Sequence, residues 1–254
     1  ILTSSNTVVG NFGSISAISP FNGFIDDVKI YPYARTAAQI KTDFASRGSF
    51  KGTSATIGGQ DPATSLSNGL VGYWKMDESS WDGTANEVID SSGNANHGIG
   101  VGATAPPTTG AGKFGNGGIF DGTEDYLSVS SNDTLRFIGS NFSLSSWIYL
   151  ESSDSGGLVY KGGGTVRTGY GMYQTSSNIR FIYSDTTETY DQEISVPATI
   201  GSWFHATLTV DKQTNLMSVY INGVPQETMD ITGIDEDVSA TNALEFGKTG
   251  SWYS

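Results

Sequence analysis

A carboxylate on an otherwise apolar strand face is the first chemical feature of the sequence. Residues 24–31 (FIDDVKIY) have the spacing of a β-strand, and period-2 alternation places Asp26 on the same face as Phe24, Val28 and Ile30. Burying an unpaired carboxylate costs on the order of several kcal/mol, so Asp26 needs a cation or several hydrogen-bond donors. Hard divalent cations take oxygen ligands, and calcium is therefore one predicted partner.

Residues that could catalyse a reaction do not occur in productive combinations. Glu188, Asp191 and Glu193 come nearest to the paired carboxylates of a glycosidase, but the strand spacing places Glu188 on the opposite face from the other two. The histidines, His97 and His205, lie in separate elements; we predict His97 in a turn and His205 at the surface of a strand. The sequence therefore predicts that the protein is not an enzyme.

The composition excludes several classes of partner. The chain has 254 residues, no Cys, and a formal net charge of −13 from 13 basic and 26 acidic residues. Such a chain has no basic surface for nucleic acid or anionic membranes, and no apolar run approaches the roughly 20 residues of a membrane span. Without Cys there is no disulfide framework and no thiolate-ligated zinc site, whereas the acidic excess suits calcium.

Antiparallel strands are predicted to position these residues. Residues 142–150 and 203–210 alternate apolar and polar side chains, and Asn222-Gly223 is typical of a type I′ hairpin turn. Helical spacing is strong only in residues 34–45, with Thr36 as the N-cap. The sequence therefore predicts an all-β, antiparallel two-sheet sandwich or barrel with one short helix.

The predicted domain organisation has three parts. Residues 46–68 contain Gly, Ser, Thr and Asp with few large apolar side chains, which predicts a linker. The linker separates an N-terminal segment, residues 1–45, from a body, residues 69–254. The first residue is Ile1 and not Met, so we expect the chain to be an excerpt from a longer protein.

Five motifs follow one another through the body. They are GLVGYWKMDE (69–78), VIDSSGNANHG (88–98), KFGNGGIFDG (113–122), DYLSV (125–129) and VYING (219–223). Their order and spacing over about 185 residues resemble the laminin-G-like, concanavalin A-like modules of bacterial surface proteins. The resemblance implies an antiparallel two-sheet jelly roll and an extracellular or cell-surface location.

The N-terminal segment resembles the other end of the same module. Residues 21–31 and the helix after them look like its closing strand and tail, so the tail precedes a body that has no closing strand of its own. Residues 7–14 also align without gaps on residues 244–251, which predicts a tandem repeat of about 237 residues. Strand 21–31 either folds onto its own chain or completes a neighbouring repeat or identical subunit, and the repeat favours the neighbour.

The resemblance also implies a structural calcium, with Asp26 as the first ligand. In this fold the head of the sandwich lies beside the closing strand and offers further oxygen ligands. The candidate metal ligands are Asp26, Asp77, Asp90, Asn94, Asp121 and Asp125. The alternative is that Asp90 and Asn94 form Asx turns and that Asp121 forms a tight turn with the glycine after it.

Two roles follow from these expectations. The first is a non-catalytic structural or adhesive module, a repeat of a large surface or filament-forming protein, assembled by strand complementation and stabilised by calcium. The alternative is a carbohydrate-binding, lectin-like module in which aromatic side chains form the platform, although aromatics in a sandwich commonly belong to its core. The carbohydrate-binding candidates are Trp147, Tyr149, Tyr170 and Tyr173.

Overall fold

The computed structural model of the chain describes residues 19–45, 69–137, 139–162, 168–185, 191–234 and 242–249. The strands of this part are β1 (Ser19–Pro20), β2 (Asn22–Tyr31), β3 (Gly72–Trp74), β4 (Gly98–Val101), β5 (Thr108–Ala111), β6 (Asn116–Asp121), β7 (Tyr126–Val129), β8 (Phe142–Leu150), β9 (Gly156–Gly162), β10 (Gly169–Thr175), β11 (Asn178–Ser184), β12 (Asp191–Pro197), β13 (Trp203–Asp211), β14 (Leu216–Ile221), β15 (Val224–Asp230), β16 (Leu244–Phe246) and β17 (Lys248–Thr249). Helix α1 (Ala37–Ala45) lies between β2 and β3 in the chain. The predicted linker, residues 7–14 and Glu188 lie outside the described residues.

Two antiparallel sheets form a sandwich around one apolar core. The eight-stranded sheet has the order β15-β14-β13-β8-β2-β6-β5, with β3 also paired to β2. The seven-stranded sheet has the order β12-β11-β10-β9-β16-β7-β4. Side chains of both sheets contribute to the core, among them Leu144 and Leu208 from the first and Phe181 and Phe246 from the second. The predicted all-β two-sheet jelly roll is therefore confirmed.

The predicted alternation is present in the strands of the eight-stranded sheet. In β8, Leu144 and Ile148 are buried in the core, while Trp147 and Tyr149 lie on the opposite face, which we call the outer face. Strand β13 pairs with β8 in matching register, so its own apolar set also faces the core. Asn222 and its neighbouring glycine join β14 to β15 with φ values of 53° and 74°, as a type I′ turn requires.

Strand β2 lies in the middle of the eight-stranded sheet of its own chain. It pairs with β8 on one side and with β6 and β3 on the other. Just before it, β1 pairs with β17, and Phe21 N donates a hydrogen bond to Gly247 O at 3.0 Å. In this single chain the closing strand occupies its own sandwich, and occupation by a neighbouring copy stays a prediction.

The side-chain faces predicted for β2 are wrong because the strand contains a β-bulge. Its register with β8 shifts between Asp26 and Lys29, and Asp27 has a left-handed φ of 55°. The extra residue places Ile25 in the core together with Val28, so that Asp26 lies on the outer face and not with the apolar set. Asp26 is nonetheless only 1% exposed.

Helix α1 packs on the outer face of the eight-stranded sheet. It begins with a capping box, since Gln39 N donates to Thr36 Oγ1 at 3.3 Å and Thr36 N donates to Gln39 Oε1 at 2.9 Å. The predicted N-cap is therefore confirmed. Ile40 is fully buried, and Phe44 stacks on Trp147 with ring centroids 5.5 Å apart. The helix thus covers side chains of the strands beneath it.

Candidate functional site

An aromatic groove runs along the outer face of the eight-stranded sheet. The groove has two parts, a larger one of about 490 Å³ and a smaller one of about 160 Å³, and the side chain of Trp203 lines both. The larger part is lined by Phe44, Lys113, Phe114, Trp147, Trp203 and Asn222. The smaller part is lined by Phe24, Ala111, Tyr149, Glu151 and Trp203. Both parts together are called the aromatic groove below.

Trp147 forms the floor of the larger part. The ring of Phe44 stacks on it, the ring of Phe114 meets it edge-on at a centroid distance of 5.6 Å, and Lys113 Nζ lies 4.5 Å from its ring centroid. These contacts leave Trp147 only 4% exposed. The floor is therefore held rigidly by protein side chains, and a ligand would contact the residues around it.

Three aromatic side chains from adjacent strands form a row along the smaller part, and one of them, Trp203, also lines the larger part. Phe24 of β2, Tyr149 of β8 and Trp203 of β13 are cross-strand neighbours in register. Their ring centroids lie 5.5 Å apart for Phe24 and Tyr149, and 5.7 Å apart for Tyr149 and Trp203. Each ring is half-buried, so part of each surface stays open to solvent.

The outer face beneath α1 carries a buried polar layer. Lys29 Nζ lies 2.8 Å from Asp27 Oδ2, and Tyr73 donates from its hydroxyl to Asp27 Oδ1 at 2.6 Å. Arg35 and Asp43 form a second buried ion pair, with 2.8 Å between Nη2 and Oδ2. Because burying an unpaired charge is costly, these pairings allow the helix to lie over a polar strand face.

His205 belongs to this layer, and its predicted surface position is wrong. The strand face is polar as expected, but α1 covers it, and His205 is 2% exposed. Its ring lies 5.3 Å from that of Trp147. Burial lowers the pKa of His205 to about 3, and the positive charges of Lys29 and Arg35 contribute to the shift. The imidazole is therefore neutral in the folded protein near pH 7.

Asp26 and Asp77 both contact the loop between β5 and β6. Phe114 N donates to Asp26 Oδ2 at 2.9 Å, and Asn116 N donates to Asp77 Oδ1 at 3.0 Å. Gly115 has a left-handed φ of 65°, and a Cβ at this position would lie 2.2 Å from Asp77 Oδ1, so another residue would be strained and would displace this carboxylate. Burial raises the pKa of Asp26 to about 8, helped by the charges of Asp27 and Asp77 and opposed by the hydrogen bond from Phe114.

Asp90 and Asn94 lie in a separate loop that their side chains close. The carboxylate of Asp90 accepts hydrogen bonds from the backbone N–H groups of Tyr73, Ser92 and Asn96. Asn94 donates from Nδ2 to Leu70 O at 2.9 Å. These contacts match the alternative interpretation, in which the two residues stabilise turns.

Asp121 and Asp125 form a third acidic group in the turn between β6 and β7. Asp121 Oδ1 accepts from Thr123 N at 2.8 Å, which is the expected tight turn. Asp125 is 6% exposed, and its buried Oδ1 has no hydrogen-bond partner. Burial raises the pKa of Asp125 to about 7, and the negative charge of Asp121 contributes.

The six candidate ligands thus divide into three separate places. The structure brings Asp26 near Asp77, and Asp121 near Asp125, but it does not join the groups. Within the described ranges, no cluster of three or more His, Asp or Glu side chains is arranged to hold a metal ion. A cation at either acidic pair would need backbone carbonyls and water for its other ligands.

Two of the four carbohydrate-binding candidates do not lie at a surface. Tyr170 is fully buried in the core, packs on Phe137 and Phe142, and donates from its hydroxyl to Leu135 O at 3.0 Å. A sugar platform at Tyr170 is therefore wrong. Tyr173 is 1% exposed and donates to Glu193, so its ring is not available either. Trp147 and Tyr149 are the two that reach the aromatic groove.

Several groove residues are absent from the predicted site. Phe24, Phe44, Phe114 and Lys113 come from three different elements that the sequence does not place beside one another. Trp203 had a usable signal, since it begins a strand whose alternation directs it to the same face as His205. The meeting of β2, α1 and the β5–β6 loop on this face depends on tertiary packing.

Two carboxylates of the seven-stranded sheet, Glu193 and Glu245, lie too far apart to act together in glycoside hydrolysis. Glu193 of β12 and Glu245 of β16 alternate with core residues, but three strands separate β12 from β16 in the sheet. At about 4.8 Å per strand spacing this places the two backbones roughly 19 Å apart, beyond the roughly 5–10 Å that glycoside hydrolysis requires.

Across the part of the chain that is described, no helix is long and apolar enough to cross a membrane.

Comparison with known proteins gives a family and a set of structures. One similar solved structure is the botulinum neurotoxin serotype D ligand-binding domain in complex with N-acetylneuraminic acid; it is 19% identical, the match covers 68% of this chain and 43% of that one, and the TM-score is 0.47. Another is the binding domain of botulinum neurotoxin DC in complex with rat synaptotagmin II; it is 17% identical, the match covers 67% of this chain and 43% of that one, and the TM-score is 0.46. This chain spans less than half the length of these structures. No curated protein matches.

The family profile agrees with the architecture. The laminin-G-like profile described as the concanavalin A-like lectin/glucanases superfamily matches residues 121–254, which is more than half of the chain. The matched residues include β8, β13 and the hairpin that follows, all central to the sandwich described above. The chain therefore belongs to the concanavalin A-like lectin/glucanase superfamily.

Proposed function

We propose that this chain is a non-catalytic carbohydrate-binding module whose ligand lies in the aromatic groove. The observation that carries the proposal is the row formed by Phe24, Tyr149 and Trp203, three half-buried rings that line the smaller cavity, with Trp203 also lining the larger one. The C–H bonds of a sugar ring pack well on an aromatic face, which is apolar and carries negative charge density. Ligand sites commonly combine such apolar surfaces with a few polar groups.

Polar side chains at both ends of the groove support a sugar ligand. Lys113 and Asn222 lie at the larger part and Glu151 lies at the smaller part, and all three are exposed. Their ammonium, amide and carboxylate groups can exchange hydrogen bonds with sugar hydroxyls.

A glycan array with the purified chain tests this proposal, followed by calorimetric titration with the strongest glycan. Trp203→Ala removes the side chain shared by both parts of the groove, and we expect it to weaken binding about tenfold, or about 1.4 kcal/mol. Tyr126→Ala is the matched control, because Tyr126 is a half-buried aromatic residue on the other sheet, where Lys248 Nζ lies 3.9 Å from its ring centroid. Absence of binding across the array, or equal losses in both variants, would contradict the proposal.

We also propose that calcium stabilises the loop between β5 and β6. Asp26 and Asp77 approach this loop together, and each carboxylate accepts a hydrogen bond from a backbone N–H group there. The residues fit the ion, since two carboxylates with backbone carbonyls and water are the oxygen ligands that calcium takes. Calcium would supply the positive charge that the buried carboxylate of Asp26 otherwise lacks.

The calcium proposal predicts a change in thermal stability. Calcium at 100 times its Kd should stabilise the fold by about 2.7 kcal/mol and raise the Tm by roughly 5–10 °C over the chelated protein. We expect Asp26→Asn to abolish this rise and Asp121→Asn to retain it. An equal Tm with calcium and with chelator would refute calcium binding. If only Asp121→Asn abolishes the calcium-dependent rise in Tm, the calcium binds in the turn between β6 and β7 and not at Asp26.

A structural or adhesive role in a repeating extracellular protein is the second candidate function. The observation that favours it is the pairing of β1 with β17, which places the two described ends of the chain side by side. Modules joined end to end could then share a continuous sheet edge. A pulling experiment on several copies of the chain linked in tandem would support this role if the copies bear load without any glycan ligand, and it would contradict the role if they unfold at negligible force.

A further inference from the structure

We propose that residues 19–45 of one copy close the sandwich of the preceding copy when copies follow one another in a chain. The position that β2 occupies between β8 and β6, called the slot below, is then an interface between two copies. The slot accepts a ten-residue strand, β2, in the middle of a sheet. Its partner is therefore a second copy of this same chain, supplying the same residues.

The slot cannot remain empty in a folded body. Phe21, Ile25 and Val28 are fully buried in the core between the sheets. Removing them would leave a cavity and would expose the unpaired backbone groups of β8 and β6. A body that lacks its own closing strand must therefore take one from elsewhere.

The segment behaves as a transferable unit. The ion pair between Arg35 and Asp43 and the contact of Arg35 with the Tyr31 ring, 4.1 Å from its centroid, lie within the segment. The contacts of the segment with the body, such as Asp27 with Tyr73 and Phe44 with Trp147, are the same whichever copy supplies it. Own-chain and exchanged closure thus differ only in the chain that connects segment and body.

The position of the segment's first residues favours delivery from a following copy. Because Ser19 pairs with Thr249, the segment enters the sheet where the body ends. The alignment of residues 7–14 on residues 244–251 places only six residues between Thr249 and the next copy's counterpart of Ser19. The own-chain connection, residues 46–68, has 23 residues. Loop-closure entropy favours the six-residue connection about sevenfold.

The exchange makes the aromatic groove a composite site. Phe24 and Phe44 come from the segment, whereas Trp147, Tyr149 and Trp203 come from the body. Two successive copies would then build each groove. This consequence rests on the proposed function, but the exchange itself does not.

Disulfide trapping in a chain with two segments and one body tests the exchange, because the protein has no Cys of its own. Residues 1–251 are joined directly to residues 15–45, which merges the aligned segments and leaves no second body that needs a closing strand. Asn22 and Asp121 face each other across β2 and β6, within the reach of a disulfide. Each chain carries Asp121→Cys in the body. One chain carries Asn22→Cys in its second segment, so that the pair is split between copies, and the other carries it in its first segment, so that the pair lies within one copy.

We expect the split pair to form its disulfide with a yield about sevenfold higher than the pair within one copy, as measured by mass spectrometry of the oxidised peptides at low protein concentration. An equal or lower yield from the split pair overturns the exchange. The single-copy chain with both substitutions is the geometric control, since there the bond must form within the chain. Because no glycan enters the measurement, its result is separate from that of the glycan array.

Discussion

His205 is a single residue whose environment changes the stability of the whole fold with pH. Its folded pKa of about 3 lies below the ordinary value of 6.5, so below pH 6.5 the unfolded chain binds a proton that the folded chain does not. Stability from this group is therefore complete above pH 6.5 and is lost as the pH falls towards 3. The physical causes are burial under α1 and the nearby charges of Lys29 and Arg35.

His205→Gln tests this dependence, because glutamine keeps polar atoms but does not titrate. Between pH 7.5 and pH 5.0 the wild-type protein should lose about 2 kcal/mol more unfolding free energy than the variant, at about 1.4 kcal/mol for each pH unit below 6.5. Urea unfolding at the two pH values measures the difference. Parallel losses in both proteins would show that His205 is solvated and titrates normally.

At the same scale, Asp26 and Asp27 mark a limit of sequence analysis. The need of Asp26 for a partner could be predicted from its apolar neighbours, and the residue is indeed buried. Its face could not be predicted, because one bulged residue reverses every side chain that follows. Asp27 carries no glycine or asparagine signal for its positive φ; the hydrogen bond from Tyr73 and the ion pair with Lys29 hold it there.

At the scale of elements, α1 controls both the buried polar layer and the rim of the aromatic groove. Its ion pair joins Arg35, just before the helix, to Asp43 in its last turn, with both side chains at most 2% exposed. Removing one partner of a buried pair leaves an unpaired buried charge, which costs about 3–5 kcal/mol. The helix would then dock less firmly, and Phe44 would leave the groove more often.

Asp43→Ala should therefore lower the unfolding free energy by about 3–5 kcal/mol in urea titrations. Lys41→Ala on the exposed side of the same helix is the control and should change it by less than about 0.5 kcal/mol. Arg35→Met combined with Asp43→Leu should recover most of the loss, since an apolar pair avoids the desolvation cost. Equal effects of Asp43→Ala and Lys41→Ala would mean that the pair does not hold the helix.

Elements with strong local patterns could be predicted, and their neighbours across the fold could not. The alternation of Leu144 and Ile148, the capping box of Thr36 and the turn at Asn222 are all encoded within a few residues. The cover that α1 provides over β13 is not local, and for this reason the predicted surface position of His205 is wrong. The predicted sugar platform at Tyr170 is wrong for a related reason, since period-2 alternation does not say which face of a strand is the core.

For the whole molecule, the acidic residues are dispersed and do not form one centre. Asp90 stabilises a loop, Asp26 and Asp77 meet at another, and Asp121 and Asp125 occupy a turn. The net charge of −13 therefore acts mainly through mutual repulsion across the surface, which destabilises a compact state. The family fold could be predicted from the spaced motifs, but this distribution of charge could not, because it depends on loop geometry.

Screening that repulsion should stabilise the fold. Raising NaCl from 20 mM to 200 mM at pH 7.5 shortens the Debye length from about 20 Å to about 7 Å, and we expect the Tm to rise by roughly 2–4 °C for each kcal/mol of repulsion removed. The buried pairs of Lys29 with Asp27 and Arg35 with Asp43 are screened little, so they should not offset the gain. Near pH 4.3, where the net charge vanishes, the same addition should leave the Tm almost unchanged. Differential scanning calorimetry in chelator keeps calcium out of the measurement. A Tm that falls with NaCl at pH 7.5 would mean that exposed ion pairs, such as Arg136 with Asp133, outweigh the repulsion.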